Sequence, residues 1–286
     1  MSKDIRLLLF PLLIILALAS TGASATSSSP HIDVLKVKGT VNPALVRYID
    51  RGIGVAESDG AIACIIELDT PGGLGTSMED IVQRILSAQV PVVVYVSPAG
   101  AKAASAGVLI TMSAHVAAMA PGTHIGAMHP VSIGSSGEVQ ELPKSMEEKV
   151  VNDTVASIKS VAALRQRNVE WAEKAVRESA TATDGEALEL NIIDLVAVDM
   201  NGLISKLDGR EITLLGGQTV TLHTQDATVK PVGMGTIERL LFAISDPNIA
   251  YILLSLGMLG IFFELASPGT IFPGVFGGIC LLLSLY

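Results

Sequence analysis

The sequence predicts an α/β protein whose sheet is covered on both faces, followed by membrane-embedded helices. Three observations carry this. Apolar runs of strand length, residues 61–68 (AIACIIEL) and 90–96 (VPVVVYV), alternate with helical patterns. Such near-continuous apolar runs are what strands buried on both sides require. Charged residues make up only 16% of the chain and mean hydropathy is +0.53, too apolar for an ordinary soluble protein. Residues 249–263 carry no charge at all.

Taken in order, residues 1–25 read as a secretory signal peptide. Lys3 and Arg6 supply the basic start and residues 7–19 a 13-residue apolar core. Ala23-Ser24-Ala25 then fits the small-x-small cleavage pattern. The alternative is an uncleaved anchor. Residues 26–30 are a polar linker. Residues 31–38 (HIDVLKVK) alternate as a strand, and 42–57 have helical spacing with Pro43 at a first-turn position. The second strand, 61–68, runs into Asp69-Thr70-Pro71-Gly72-Gly73. Residues 78–88 form a helix with Ile81, Val82, Ile85 and Leu86 on one side.

The third strand, 90–96, is broken by the turn Pro98–Gly100. Ser105 follows among alanines and glycine, and Val108, Leu109, Met112, His115 and Val116 continue at helical spacing. Residues 125–131 (IGAMHPV) are strand-like, and 133–137 a Gly/Ser loop. Helices are expected at 145–167 and 169–178, and a capped helix start at Thr183 to Glu186. A strand at 192–198 and residues 202–207 end the globular part. Residues 211–224 have a hairpin signature around Gly216-Gly217.

From Ile237 the character shifts. Residues 237–244 are amphipathic and suit a membrane surface. Residues 249–263 are the best span, and 271–286 a second apolar run, shorter than the about 20 residues a crossing uses. That leaves open that the chain continues beyond Tyr286. The organisation is thus a signal peptide (1–25), a linker (26–30), an α/β domain (31–207), a β-hairpin linker (208–236) and a membrane region (237–286). Its spans are expected at about 249–265 and 271–286. A net charge of −9 argues against nucleic acid. Cys64 and Cys280 lie in unlike contexts, so neither a disulfide nor a metal-type Cys/His spacing is read.

Ser105 stands at a strand–turn–helix junction, where free amides and the helix dipole stabilise developing negative charge. A serine cap in a tightly packed helix is the competing reading. The glycine pair Gly72 and Gly73 ends the neighbouring strand. In a parallel sheet, adjacent strand ends share one edge, where sites form. Amides of Gly72, Gly73 and Ala106 could therefore surround one substrate carbonyl.

Three ordered motifs carry a family resemblance: LDTPGG (68–73), AASAG (103–107) and MAPGTHIGAMHPV (119–131). Together they resemble the NfeD-like membrane serine proteases. Those belong with the Clp protease-like and signal peptide peptidase A-like enzymes, and the resemblance covers about 32–207. It implies a Clp protease/crotonase-like fold with repeated ββα units. It also implies a membrane-anchored endopeptidase with a Ser–Lys dyad acting on hydrophobic segments. Stomatin/prohibitin-like membrane proteins would be its partners and substrates, and a homodimer or larger oligomer its assembly. No cofactor and no metal are implied. The family's longer members carry further spans and a small OB-type barrel beyond the point where this sequence stops.

Within that resemblance Ser105 is the nucleophile. Lys149, which precedes the helical pattern VVNDTVASIKSVA, is the base. Gly73 and Ala106 hold the oxyanion, and Gly72 shapes the turn. A lysine serves as a base only if burial or nearby positive charge strips its proton, and Glu147 and Glu148 oppose that. His129 is the alternative base, as imidazole suits neutral pH. Lys144, Lys102, His115 and His124 are weaker candidates, and Asp184 or Asp194 could fold back as a third member. Two other functions stay open. One is a non-catalytic scaffold for stomatin-like proteins. The other is a crotonase-type acyl-CoA enzyme, which an exported chain disfavours.

Overall fold

Alternation along the strands sets the architecture. A computed structural model describes residues 29–133, 139–140, 143–267 and 271–285. The expected signal peptide lies outside the described residues, as does most of the Gly/Ser loop. In β1 (His31–Lys38), Ile32 and Val34 face one side of the sheet while Leu35 and Val37 face the other. The helix α1 (Pro43–Asp59) follows, capped by Asn42, whose side chain accepts from the Leu45 amide. In β2 (Ala63–Asp69), Ile65 and Ile66 likewise split between two cores. α2 (Gly75–Leu86) and β3 (Val92–Val96) repeat the unit, and all five residues of β3 are buried.

The chain then departs from simple alternation. After β3 comes a short strand β4 (Lys102–Ala104), then α3 (Ala106–Ser113), then β5 (Val116–Met119). The expected helix around Ser105 therefore ends early. His115 and Val116 are not on it, and residues 116–119 form a strand beside β3. His115 instead accepts a hydrogen bond from the Val92 amide through Nδ1, 3.1 Å away. Small apolar residues satisfy helical and strand spacing equally over so short a run, so periodicity could not place this boundary.

β6 (His124–Gly126) is much shorter than the strand expected over 125–131, because Ala127 takes a positive φ of 54° and turns the chain. Beyond it lie the ribbon β7 (Ser132–Ile133) and β8 (Val139–Gln140), α4 (Lys144–Leu164) and α5 (Val169–Arg177). β9 (Thr181–Thr183) leads to α6 (Asp184–Glu189) through the expected capping box. β10 (Leu195–Val196) is only the middle of the strand expected at 192–198, and α7 (Met200–Leu207) follows.

β11 (Glu211–Thr213) and β12 (Thr219–Thr221) form the expected hairpin. The next strand, β13 (Thr228–Pro231), was not legible, being an exposed edge with no apolar alternation. It pairs in parallel with β1 and completes a six-stranded sheet, ordered β10-β5-β3-β2-β1-β13 and parallel throughout. The segment after residue 207 is thus built into the α/β unit. A second sheet, β4-β6-β9, caps the carboxyl ends of the main strands, with Thr70 bridging to Ala103. Each ββα passage, β3-β4-α3 and β5-β6-α4, sends one strand to each sheet. This is the fold class expected.

Three helices close the described chain: α8 (Thr236–Ile244), α9 (Pro247–Ala266) and α10 (Ile271–Ser284). α9 has 20 residues and a mean hydropathy of 2.1, enough to cross a membrane, while the apolar α10 has 14. The two pack closely at Gly257, Gly260 and Gly277. A Cβ at Gly260 would lie 2.5 Å from the Pro273 carbonyl oxygen, the small-residue contact typical of membrane helix pairs. α8 docks on α1. Arg51 donates from Nε and Nη2 to Glu238, both at 2.7 Å, and Phe242 packs at Gly39. The route to the apolar helices therefore leaves the α/β unit just beyond the carboxyl end of β1.

Candidate active site

Strands β1, β2, β3 and β5 all end at one edge of the main sheet, and the DTPGG and AASAG motifs meet there. The junction is held by backbone pairing. Thr70 N donates to Lys102 O at 2.8 Å, and Ala104 N donates to Thr70 O at 3.1 Å. Thr70, fully buried, then organises the turn. Its Oγ1 accepts from the Gly72 amide at 3.0 Å, and its methyl group packs where a Gly107 side chain would stand, 2.7 Å from an added Cβ. Thr70 is a site-shaping residue that the sequence reading does not single out. A threonine two places before a glycine, able to bond its own backbone, was the available signal.

Ser105 occupies a strained position, with φ 51° and ψ −116°, between β4 and the first turn of α3. Positive φ at a non-glycine residue costs on the order of 1–3 kcal/mol and persists only where surroundings impose it. Here they do. Ser105 N donates to Gly126 O at 3.1 Å, and Val108 N donates to Ser105 O at 2.9 Å. The side chain is half-buried and caps no amide of α3, which removes the serine-cap reading. Its Oγ makes no hydrogen bond among the described residues.

Gly72 lies directly against this serine. A Cβ on Gly72 would come within 2.6 Å of Ser105 Cβ and 3.0 Å of Oγ, and its φ of 115° suits glycine. Its amide is engaged by Thr70, so Gly72 shapes the turn and is not a free donor, a correction to the trio expected from sequence. Gly73 allows a different close approach, since a Cβ there would lie 2.1 Å from the Val41 carbonyl oxygen. Among the described residues neither the Gly73 amide nor the Ala106 amide has a hydrogen-bond partner. Ala106 opens α3, where the first amides point outward unpaired.

The candidate bases are arranged differently. Lys149 is exposed near the start of α4, whose buried stripe is Val151, Val155 and Ile158. At 100° per residue, Lys149 stands roughly 150° round the helix from that stripe. No hydrogen bond ties it to Ser105 among the described residues. Lys144 is likewise exposed and lines a polar cleft with His129, Glu147, Glu148 and Arg177. His129 Nδ1 lies 3.0 Å from the Val176 carbonyl oxygen, and Nε2 lies 3.7 Å from Glu147. The former contact fixes the tautomer with its proton on Nδ1.

The remaining candidates have other work. His115 is held neutral, its pKa pushed down to about 3 by burial and by Arg165 and Arg167. Asp194 accepts from the Ala117 amide at 2.6 Å and from Arg167 Nη2 at 2.5 Å, and Arg167 is almost wholly buried. Asp184 accepts from the Gly122 amide. Asp69 accepts from the Lys102 amide, so Lys102 lies beside the site through its backbone. His124 is exposed on β6.

Residues 31–204 match the family model "NfeD1b, N-terminal domain", and residues 248–286 match the "NfeD integral membrane domain". The chain is 38% identical over 265 residues to the membrane-bound protease PH1510 of Pyrococcus horikoshii, covering 92% of this chain and 59% of the relative. It is 26% identical over 279 residues to the membrane protein NfeD1b of Bacillus subtilis, covering 95% and again 59%. The chain therefore spans less than two thirds of the length of these curated relatives.

Among solved structures it resembles a 1510-N membrane-bound stomatin-specific protease, a lysine-to-alanine variant in complex with a substrate peptide. The TM-score is 0.71 at 38% identity, covering 77% of this chain and 99% of that one. The 1510-N membrane protease specific for a stomatin homolog, from Pyrococcus horikoshii, is similar at a TM-score of 0.66 and 36% identity. It covers 77% and 100%.

Proposed function

The chain belongs to the NfeD family, and from that premise we propose that it is a membrane-anchored serine endopeptidase. Ser105 attacks the peptide carbonyl, and Lys149 takes its proton and later returns it to the leaving amine. The Gly73 and Ala106 amides hold the oxyanion. The observation that carries this reading is the contact of Gly72 with a strained, half-buried serine whose hydroxyl is unbonded. A serine held off-rule by its surroundings, with the unpaired Ala106 amide next in the chain and that of Gly73 following the glycine it touches, is arranged for attack rather than for capping. Two such donors supply roughly 3–4 kcal/mol each to the transition state by precedent.

Lys149 stands on the outer face of α4, so the dyad requires the start of that helix to close over Ser105 when peptide binds or subunits assemble. Tightening of catalytic contacts on substrate binding is common. Its place directly before residues 150–162 (VVNDTVASIKSVA), as the family resemblance implies for the base, supports Lys149 over His129. His129 is occupied by the Val176 carbonyl and faces Glu147.

Substrates are hydrophobic segments of membrane proteins, with a stomatin-like protein as partner, by likeness to the stomatin-specific relatives. The docking of α8 beside β1 supports this, because it sets the site edge close to the apolar helices. The catalytic domain faces the extracytoplasmic side behind a cleaved leader at 1–25, and it assembles as a homodimer or larger. The proposed division is 31–207 for the protease unit, 208–236 for a segment that adds β13 to its sheet, and 237–286 for the membrane region.

The test is cleavage of an apolar peptide by the full chain in detergent, because β13 and α8 are packed against the protease unit. Ser105→Ala and Lys149→Ala lose turnover, and His129→Ala keeps it. An active Lys149→Ala with a dead His129→Ala overturns the base assignment. An active Ser105→Ala overturns the enzyme reading.

A further inference from the structure

At the opposite end of β1 from the candidate active site, two buried polar side chains lack partners. Asp33 is completely buried, and neither of its carboxylate oxygens has a hydrogen bond among the described residues. His31 is also buried, with Nε2 unpartnered, while its Nδ1 lies 3.2 Å from the Ser29 carbonyl oxygen. Two residues apart on one strand, they project from the same face of β1. The last residue of α1, Asp59, closes on them from the neighbouring element. Ligand atoms of all three lie within 4.8 Å of one another.

A buried carboxylate with no donor is among the costlier arrangements in a folded chain, and such charges are normally paired or bound to metal. The imidazole is set as metal-ligating histidines are set. One ring nitrogen is bonded to a backbone carbonyl, which fixes the proton there and leaves the other lone pair free. Lys230, from β13, pairs with Asp59 and supplies the cation present in the cluster. Its ammonium attracts the Asp33 carboxylate without hydrogen-bonding to it or to His31, and the Lys230 side chain is half-exposed.

We propose that His31, Asp33 and Asp59 bind one divalent transition-metal ion. One imidazole nitrogen and two carboxylates suit zinc or manganese, whereas magnesium prefers oxygen and water alone. The ion would fasten the start of β1 to the end of α1. Seven residues of strand, roughly 23 Å, separate it from the active-site edge, so its role is structural. His31 and Asp33 are close in sequence, but Asp59 joins them only through the fold, and no Cys/His spacing announces the set.

The experiment uses the full chain without a histidine tag, stripped by chelator in detergent and titrated with zinc chloride. Bound zinc is counted by mass spectrometry and thermal unfolding is followed. One zinc per chain is expected, with an upward shift of about 5–10 °C at a hundredfold excess over Kd. His31→Gln and Asp33→Asn lower zinc affinity tenfold or more and cut the shift to half or less. Metal-free Asp33→Asn unfolds no earlier than metal-free wild type, because an unpartnered buried charge is removed. Lys230→Gln binds zinc more tightly, since a competing cation is gone. No bound zinc in the wild type, or equal binding in His31→Gln and Asp33→Asn, overturns the proposal.

Discussion

Replacing Gly72 by alanine places one methyl group on Ser105, the proposed nucleophile. The added carbon would sit 2.6 Å from Ser105 Cβ, 3.0 Å from Oγ and 3.4 Å from the Ala104 carbonyl oxygen. Ordinary carbon contacts begin near 3.5 Å, so Ser105 must retreat by about 1 Å or the turn must open. Alanine at a φ of 115° adds strain of about 1–2 kcal/mol. The turn is tied down by Thr70 and by Val41 N, which donates to Gly72 O at 2.8 Å, so the serine is the group that gives. A displacement of that size at a reacting centre costs on the order of a hundredfold in rate. Steady-state cleavage of an apolar peptide by Gly72→Ala should therefore show kcat/KM down about a hundredfold. Its circular dichroism should be unchanged and its unfolding midpoint only slightly lower. Wild-type turnover from a folded Gly72→Ala would refute the placement of Ser105 as nucleophile beside this turn.

Further outcomes follow from other contacts. His115 has a folded-state pKa near 3, below its ordinary 6.5, so the unfolded chain binds the proton first. Its contribution is whole above pH 6.5 and is lost as pH falls towards 3. Stability should drop by about 2 kcal/mol between pH 7 and pH 5 in urea titrations, and His115→Gln should flatten that slope. Asp194→Ala leaves the Arg167 guanidinium buried without its carboxylate and should cost about 3–5 kcal/mol in the same titrations. A loss below about 1 kcal/mol, the value of an exposed pair, would contradict the burial argument. Phe242→Ala combined with Glu238→Ala frees α8 from α1. Cleavage of a membrane-embedded substrate in proteoliposomes should fall, while cleavage of a soluble peptide in detergent should not.

Much of the fold was legible because its strands are apolar on both faces and its helices begin at side-chain caps. Asn42 and Thr183 mark helix starts that the structure reproduces. What escaped was short or lay on an edge. The run after Ser105 divides into a two-turn helix and a four-residue strand, and neither is long enough for its period to be distinguished. β13 is exposed, and its register with β1 is a tertiary fact. At the site, the meeting of Gly72 with Ser105 followed from adjacent strand ends in a parallel sheet. The engagement of the Gly72 amide by Thr70 did not, since it depends on a side-chain rotamer. Local charge near Lys149 was readable, but the face of α4 it occupies depends on which stripe the core selects.

The measurement that tests the central claim most directly is covalent labelling of the full chain with a serine-directed fluorophosphonate, read by peptide mapping. The account predicts one adduct, on Ser105, absent in Ser105→Ala and suppressed by a competing apolar peptide. An unlabelled wild type that still cleaves peptide, or an adduct on another serine, would contradict it.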